Sequence, residues 1–501
     1  MEFTELADYR IPPGVLTEWL PCAAEDDWRE DPRPASYIHE AHLRRTSGVR
    51  YGGGRDSWLG TAFEVPGPLD TERFRRTLQR WIDRHEPLRS HAHLDEEQSG
   101  GGLVRRTAPP GRVSVRPIRH DPADPDTIHD HLLGLFDDYT TPHLWPSYVF
   151  ATLERTPDGN SDGTTGTAGT GGTTGTAGTG GTEDTDDRFT VFFGADHSII
   201  DGYSVVLVAH EISALYEEER TGRAADLFPV GSYIDFGAAE RDESAHLDDD
   251  DEAVQIWRRT LTECGGEPPA FPLSIGARPA HATPQQRLSE RWFDDDEASA
   301  FAACCRRAGT GFFAGVLACF GRATAEFTGA DRFRTVAPAH TRAGPIWAGS
   351  LGWFVGLRPI DLKLTDTTDF ETLAMRAGDE LHRTRASARV PFVRVGELLG
   401  VPIRPRFVVS YMDVRFVPMA AQWPEWNAQA LRSRSFTHDV YVWINRTPEG
   451  VNMSARFPDN TVAGENVPSL LTRTRELMHE VAVGGPWIAR PETAAVPPTG
   501  E

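Results

Sequence analysis

Apolar residues recur along this chain in two rhythms that alternate. Residues 69–90, LDTERFRRTLQRWIDRHEPLRS, set Phe74, Leu78, Trp81 and Ile82 at three- and four-residue spacing, which places them on one face of a helix. Asp70 stands where a helix N-cap is expected. The runs SYVFATLE (147–154) and FTVFFGA (189–195) are short and rich in aromatic and β-branched residues, so they predict strands. The segment Asp196–Gly202 follows, and then an apolar helical run, YSVVLVAHEISALYEEER. The second half repeats the scheme. Residues 294–328 predict two helices broken near Gly309–Gly311, and the strand-like runs RFRTVAPA, WFVGLRPIDLKL, RFVVSYMDV and HDVYVWINR come after them. Helices and strands that alternate in both halves predict an α/β protein with two lobes of about 200 residues each.

Two stretches interrupt the pattern. TTGTAGTGG occurs at Thr164–Gly172 and again at Thr173–Gly181, with no apolar residue beyond Ala. Such a tract cannot offset its ordering entropy, and residues 158–187 are expected to be a flexible insertion in a hairpin loop. The acidic run HLDDDDE at His246–Glu252 marks a solvated boundary. The expected organisation is a first lobe at 1–215, an acidic linker at 216–260 and a second lobe at 261–490.

Composition narrows the function classes. The chain has 501 residues, 74 of them acidic and 51 basic, for a net charge of −23. That balance argues against nucleic acid, whose binding needs Lys and Arg on phosphate. The longest apolar run, Phe312–Phe320, is far short of the roughly 20 residues that span a bilayer. The start, MEFTELADYR, has no cationic segment followed by an apolar one, so a cytoplasmic location without signal peptide is expected. The cysteines Cys22, Cys264, Cys304, Cys305 and Cys319 lack disulfide or metal spacing and are expected to be buried thiols.

The sharpest candidate for chemistry is FFGADHSIIDGYS. His197 directly follows a strand, so the sheet holds it while it faces outward, and an imidazole with an ordinary pKa of about 6.5 can take a proton at neutral pH. Asp201, before a glycine, is suited to hold an arginine or backbone amides, and Gly202 is expected to permit a tight turn before the helix. Asp196 neighbours His197 on a strand and is therefore expected to point away from it. No GxSxG elbow or Walker lysine is present. The pairs His91/His93 and His129/His131 lack matching ligands in a second cluster, so no metal is expected. Arg105, Arg106, Arg112, Arg116 and Arg119 alternate with apolar residues as on an exposed strand, and offer either a solvated face or a docking surface for an acidic carrier or a CoA phosphate.

These residues resemble the condensation-domain superfamily of acyltransferases, whose motif is HHxxxDG; the chain has DHSIIDG at Asp196–Gly202. The 69–90 helix is similar to the family's first-lobe helix ending in RHExLR. TRAGPIWAGSLGWFVGLRPIDL is similar to its R…GxFxNxLPxR segment, and RFVVSYMD and VNMSARFPDNTVAGENV to its late strand and C-terminal helix start. The likeness runs over most of residues 36–480. SYIHEAHLRR, GWFVGLRPI, FVVSYMD and RFPDN look most like the stand-alone polyketide-associated acyltransferases, which esterify a sugar or lipid alcohol.

The resemblance implies two chloramphenicol-acetyltransferase-like lobes in a V-shaped pseudo-dimer with a central tunnel. It implies a monomer with no bound cofactor, acting alone in natural-product or lipid biosynthesis. An acyl thioester, on a carrier protein's phosphopantetheine arm or on CoA, enters from one side and an alcohol or amine acceptor from the other. His197 maps to the second motif His, as base or positioning group. Asp201 pairs with Arg342, and both are structural, as is Gly202. Asp196 replaces the first motif His, and Gly356 replaces the Asn of GxFxN. Asp196, Ser204, Gly356 and Ser410 are candidates to line the tunnel. Two alternatives remain at this point. DHSIIDGYS also fits DxxxxDxxS, the signature of heterocyclisation domains, through Asp196, Asp201 and Ser204. The fold can also persist as a non-catalytic module that recruits another enzyme to carrier-bound substrate.

Overall fold

The structure is a computed structural model that describes residues 1, 3–47, 58–95, 102–156, 187–281, 283–365, 369–485 and 487. The Gly/Thr repeats lie outside the described residues.

Two sheets organise the chain. The first has seven strands, in the order Phe3–Thr4, Gln429–Arg432, Trp58–Pro66, Arg188–Asp196, Tyr148–Arg155, Gly14–Cys22 and Ser114–Arg119. Its neighbours pair antiparallel except the first two. The strand leading to His197 sits in the middle. It is apolar throughout because both of its faces are covered. Phe193 packs with Phe74, Trp81 and Val205 from the helices Thr71–Arg84 and Gly202–Thr221. Phe192, one residue earlier, packs on the other face with Ile128, Leu132 and Phe136 of the helix Pro125–Tyr139. The 71–84 helix starts as its sequence predicts, with the Asp70 carboxylate accepting the Arg73 N–H at 3.0 Å.

The second sheet runs Gln285–Asp294, Gly450–Pro458, Val440–Thr447, Phe407–Asp413, Arg332–His340 and Val355–Lys363. One face buries Phe301, Phe320, Leu373 and Leu470 from four helices, Asp295–Arg307, Phe312–Thr328, Phe370–Arg383 and Thr461–Ala482. The first two separate at Ala308–Gly311, as the glycines suggest.

The boundaries differ from the expected ones at three places. The motif helix continues to Thr221, across the expected lobe boundary at 215. The stretch expected as an acidic linker contains the helices Tyr233–Ser244 and Glu252–Glu263. Trp257 of the latter is fully buried with Val336 and Val408, so this helix covers the second face of the second sheet. Finally, Gln429–Arg432 leaves the second half and pairs with Trp58–Pro66 of the first sheet. Charge runs show where solvent is, but not whether the apolar residues between them have a face to cover.

Candidate active site

The centre lies where the motif strand ends. His197 is partly exposed, and its ring stacks on Trp353 with centroids 3.9 Å apart and planes 24° from parallel. Its Nδ1 lies 2.7 Å from the Ile200 carbonyl oxygen. A carbonyl can only accept, so Nδ1 carries the proton and the neutral ring's Nε2 keeps its lone pair. Nε2 has no hydrogen-bond partner among the described residues. Burial, the largest influence, lowers the His197 pKa below its ordinary value, so the ring is neutral at pH 7.

Asp201 and Arg342 form a buried clamp beneath it. Asp201 caps the motif helix, accepting the Ser204 N–H at 2.7 Å. One Arg342 Nη2 reaches both Asp201 carboxylate oxygens, at 2.9 and 3.1 Å, and the Ser204 hydroxyl at 2.8 Å. The Ser204 hydroxyl donates to Asp201 at 2.7 Å, and the Phe354 N–H donates to Asp201 at 3.1 Å. The Arg342 guanidinium also donates to the Trp347 and Ser350 carbonyls and lies 4.2 Å from the Phe354 ring centroid. These contacts join the motif helix of the first half to the 341–354 segment of the second. They also hold Trp353 against His197. Within that segment Gly352 is required: a Cβ there would meet the Tyr233 ring at 2.4 Å.

Asp196 is fully buried and faces His42, whose Nε2 lies 3.2 Å from the carboxylate. Arg45 donates to His42 Nδ1 at 2.9 Å. A guanidinium cannot accept, so Arg45 is the donor there, and the His42 Nε2–H donates to Asp196. Burial alone would raise the Asp196 pKa, but His42 and the Ser198 N–H outweigh it and hold the carboxyl at about 2. The His42 ring also meets Trp353 edge-on at 5.6 Å. Asp196 is thus buried against the helix Tyr37–Thr46, while His197, next in the chain, is partly exposed. His42, Arg45 and Trp353 were missed by sequence reasoning. The signal for the first two was present in SYIHEAHLRR, where positions 42 and 45 are one helical turn apart on Tyr37–Thr46.

The remaining candidates fall elsewhere. Gly202 is the first residue of the helix and is not among the positive-φ glycines, so no left-handed turn explains it. Gly356 is buried where a Cβ would come within 1.9 Å of the Ala388 carbonyl oxygen, a close approach of two backbones. Ser410 is half-buried in the second sheet opposite Trp443 and has no hydrogen bond to the His197 group among the described residues. The arginine stripe is largely neutralised. Arg106, Arg112 and Arg119 pair with Glu25, Asp27 and Glu154, and Arg105 is buried, its pKa pushed down to about 10 by desolvation. Surface clefts of about 330 and 430 Å³ lie away from His197. The site therefore rests on side-chain chemistry rather than on cavity size.

The chain is similar to known proteins in sequence and in fold. The Condensation domain family matches residues 182–407, which include His197, Asp201 and Arg342. Over that stretch the chain is similar to condensation domains. Over 96% of its length it is 26% identical to acyltransferase PapA3 of Mycobacterium tuberculosis, covering 96% of that protein. Over 98% it is 26% identical to the trehalose-2-sulfate acyltransferase PapA2 of Mycobacterium bovis, covering 99% of it. A solved PapA2 acyl transferase structure superposes with a TM-score of 0.81 at 23% identity, over 96% of this chain and all of that one. The fold is the chloramphenicol-acetyltransferase-like one of condensation domains.

Proposed function

We propose that this acyltransferase moves an acyl group from a thioester, on a carrier protein's phosphopantetheine arm or on CoA, to a hydroxyl of a sugar-like or lipid acceptor. The observation that carries the reading is the His197 tautomer. Nδ1–H is committed to the Ile200 carbonyl, and Nε2 presents a lone pair without a hydrogen-bond partner among the described residues, at the end of a strand. The acceptor hydroxyl donates to Nε2, and its oxygen attacks the thioester carbonyl. A C–O bond forms, the tetrahedral intermediate collapses, the C–S bond breaks, and the departing sulfur takes the proton back from His197. No Ser or Cys of the enzyme is acylated. Asp201 and Arg342 act by keeping the turn after His197 and the Trp353 segment in place.

The acceptor class rests on likeness to a protein named for acylation of trehalose-2-sulfate. The two-lobed tunnel, the monomeric state and a cytoplasmic location remain expectations from the resemblance; no helix among the described residues is long and apolar enough to cross a membrane. The heterocyclisation reading loses support because Asp196, Asp201 and Ser204 are all engaged internally, with His42 and Arg342. The recruitment reading loses support because His197 is set up as a base.

The test is acyl transfer from a panel of pantetheine, carrier-bound and CoA thioesters to polyol and amine acceptors, read by mass spectrometry. Ester product that falls about 100-fold or more in His197→Ala supports the reading. Product undiminished in His197→Ala removes the base, and binding of acylated carrier without any product favours recruitment.

A further inference from the structure

A second cluster of donor groups lies on the opposite face of the first sheet from the motif helix. Glu18 is on the strand Gly14–Cys22 and shares the parity of Leu16 and Leu20, which pack against Ile128 and Leu132 of the helix Pro125–Tyr139. His131 belongs to that helix. His120 follows the strand Ser114–Arg119, whose register sets Ile118 opposite Glu18, and its backbone N–H donates to the Leu16 carbonyl at 2.9 Å. Three separate elements thus bring one side chain each to a single point.

The three converge tightly. His120 Nε2 and His131 Nε2 lie 2.7 and 2.6 Å from the same Glu18 oxygen, Oε1. The ring centroids are 4.5 Å apart, and the three donor atoms all fall within 4.8 Å of one another. The Glu18 side chain is 10% exposed, and among the described residues no arginine or lysine pairs with it. A buried carboxylate flanked only by imidazoles is short of positive charge. A divalent ion supplies it and uses all three donors at once. Two imidazole nitrogens and one carboxylate oxygen are a zinc donor set. Metal–ligand bonds of about 2.0–2.1 Å at tetrahedral angles need ligand atoms about 3.3 Å apart. The rings have only to draw back slightly from Oε1 to reach that spacing. The imidazoles are 34% and 37% exposed, so a fourth position can open to water.

We propose that Glu18, His120 and His131 bind one zinc ion, which clasps the helix Pro125–Tyr139 to the sheet. The site stabilises the first lobe and takes no part in acyl transfer, since His197 lies two strands away and the motif helix covers the other face. The sequence conceals it: Glu18 precedes His120 by 102 residues and His131 by 113, and of the HDH triplet only His131 takes part. His129 instead lies beside Asp130.

The test uses full-length, tag-free protein stripped with a chelator. Zn²⁺ is titrated by calorimetry and Co²⁺ by visible absorption, for wild type, Glu18→Gln and His120→Asn. Glu18→Gln keeps the shape and an acceptor oxygen, so folding survives, as circular dichroism checks. We expect one equivalent of zinc, a tetrahedral cobalt spectrum, and affinity lower by at least 10- to 100-fold in each variant. Saturating zinc should raise the wild-type melting temperature and leave that of Glu18→Gln unchanged. Equal zinc affinity in all three proteins, or cobalt showing only its hydrated octahedral spectrum, overturns the proposal.

Discussion

Replacing His42 with Ala tests how the site holds the buried Asp196 beside His197. The substitution removes the Nε2–H that donates to Asp196 at 3.2 Å and the edge contact on Trp353. Asp196 has no exposed surface, so water cannot take over the lost bond without entering the core. A hydrogen bond to a charged group contributes about 1.5–3 kcal/mol, and the Ser198 N–H that stays on Asp196 replaces only part of it. With the void left by the imidazole, His42→Ala should destabilise the protein by about 3–5 kcal/mol. The control is Asp196→Asn, alone and with His42→Ala. Urea unfolding of the four proteins gives the coupling, which should be about 1.5–3 kcal/mol, so that the second substitution costs far less once the first is made. Activity reports on the same pair. A carboxylate released from His42 directs its field at the adjacent His197, favours the imidazolium, and moves the acid limb of kcat/KM toward higher pH. Additive stabilities within about 0.5 kcal/mol, with an unmoved pH profile, would refute the reasoning.

Other consequences can be checked separately. In the wild type, burial lowers the His197 pKa, so the acid limb of kcat/KM should have its midpoint below that of an ordinary histidine, about pH 6.5, as a pH-rate profile with a stable thioester would show. Arg342→Met leaves Asp201 buried and charged and should lower stability by about 3–5 kcal/mol in urea unfolding, with a loss of turnover that Arg342→Lys does not restore. Gly356→Ala drives a Cβ into the Ala388 carbonyl and should cost about 1–3 kcal/mol. His39 is buried, and desolvation lowers its pKa to about 3; the unfolded chain therefore binds the extra proton between that value and about 6.5. Stability should rise with pH across this window, and His39→Gln should flatten the rise in thermal melts at pH 4 to 7.

Much of the site was legible because it is local. DHSIIDG ends one strand and caps the next helix, and a capping carboxylate three residues before Ser204 is a relation along the chain. The amphipathic spacing of Phe74, Leu78 and Trp81 likewise forecasts a helix with one buried face. Arg342 was legible only through resemblance, since nothing in its own neighbourhood names a partner 141 residues away. The partner of Asp196 was not legible at all. Strand alternation says which side a residue faces, but not which side chain of another element it meets there.

The sequence by itself determined the elements, the strand–turn–helix that carries His197, and the family that arrangement resembles. These depend on periodicity and on capping, which act over a few residues. The tertiary structure alone decided that His42, held by Arg45, meets the buried Asp196 and that Trp353 is the surface on which His197 rests. It alone carried Gln429–Arg432 back into the first sheet and brought Glu18 to His120 and His131. An apolar stripe requires a face to cover but does not name it. A buried polar group requires a partner but does not say from which element, and only the packing of both sheets with their helices fixes which side chains meet.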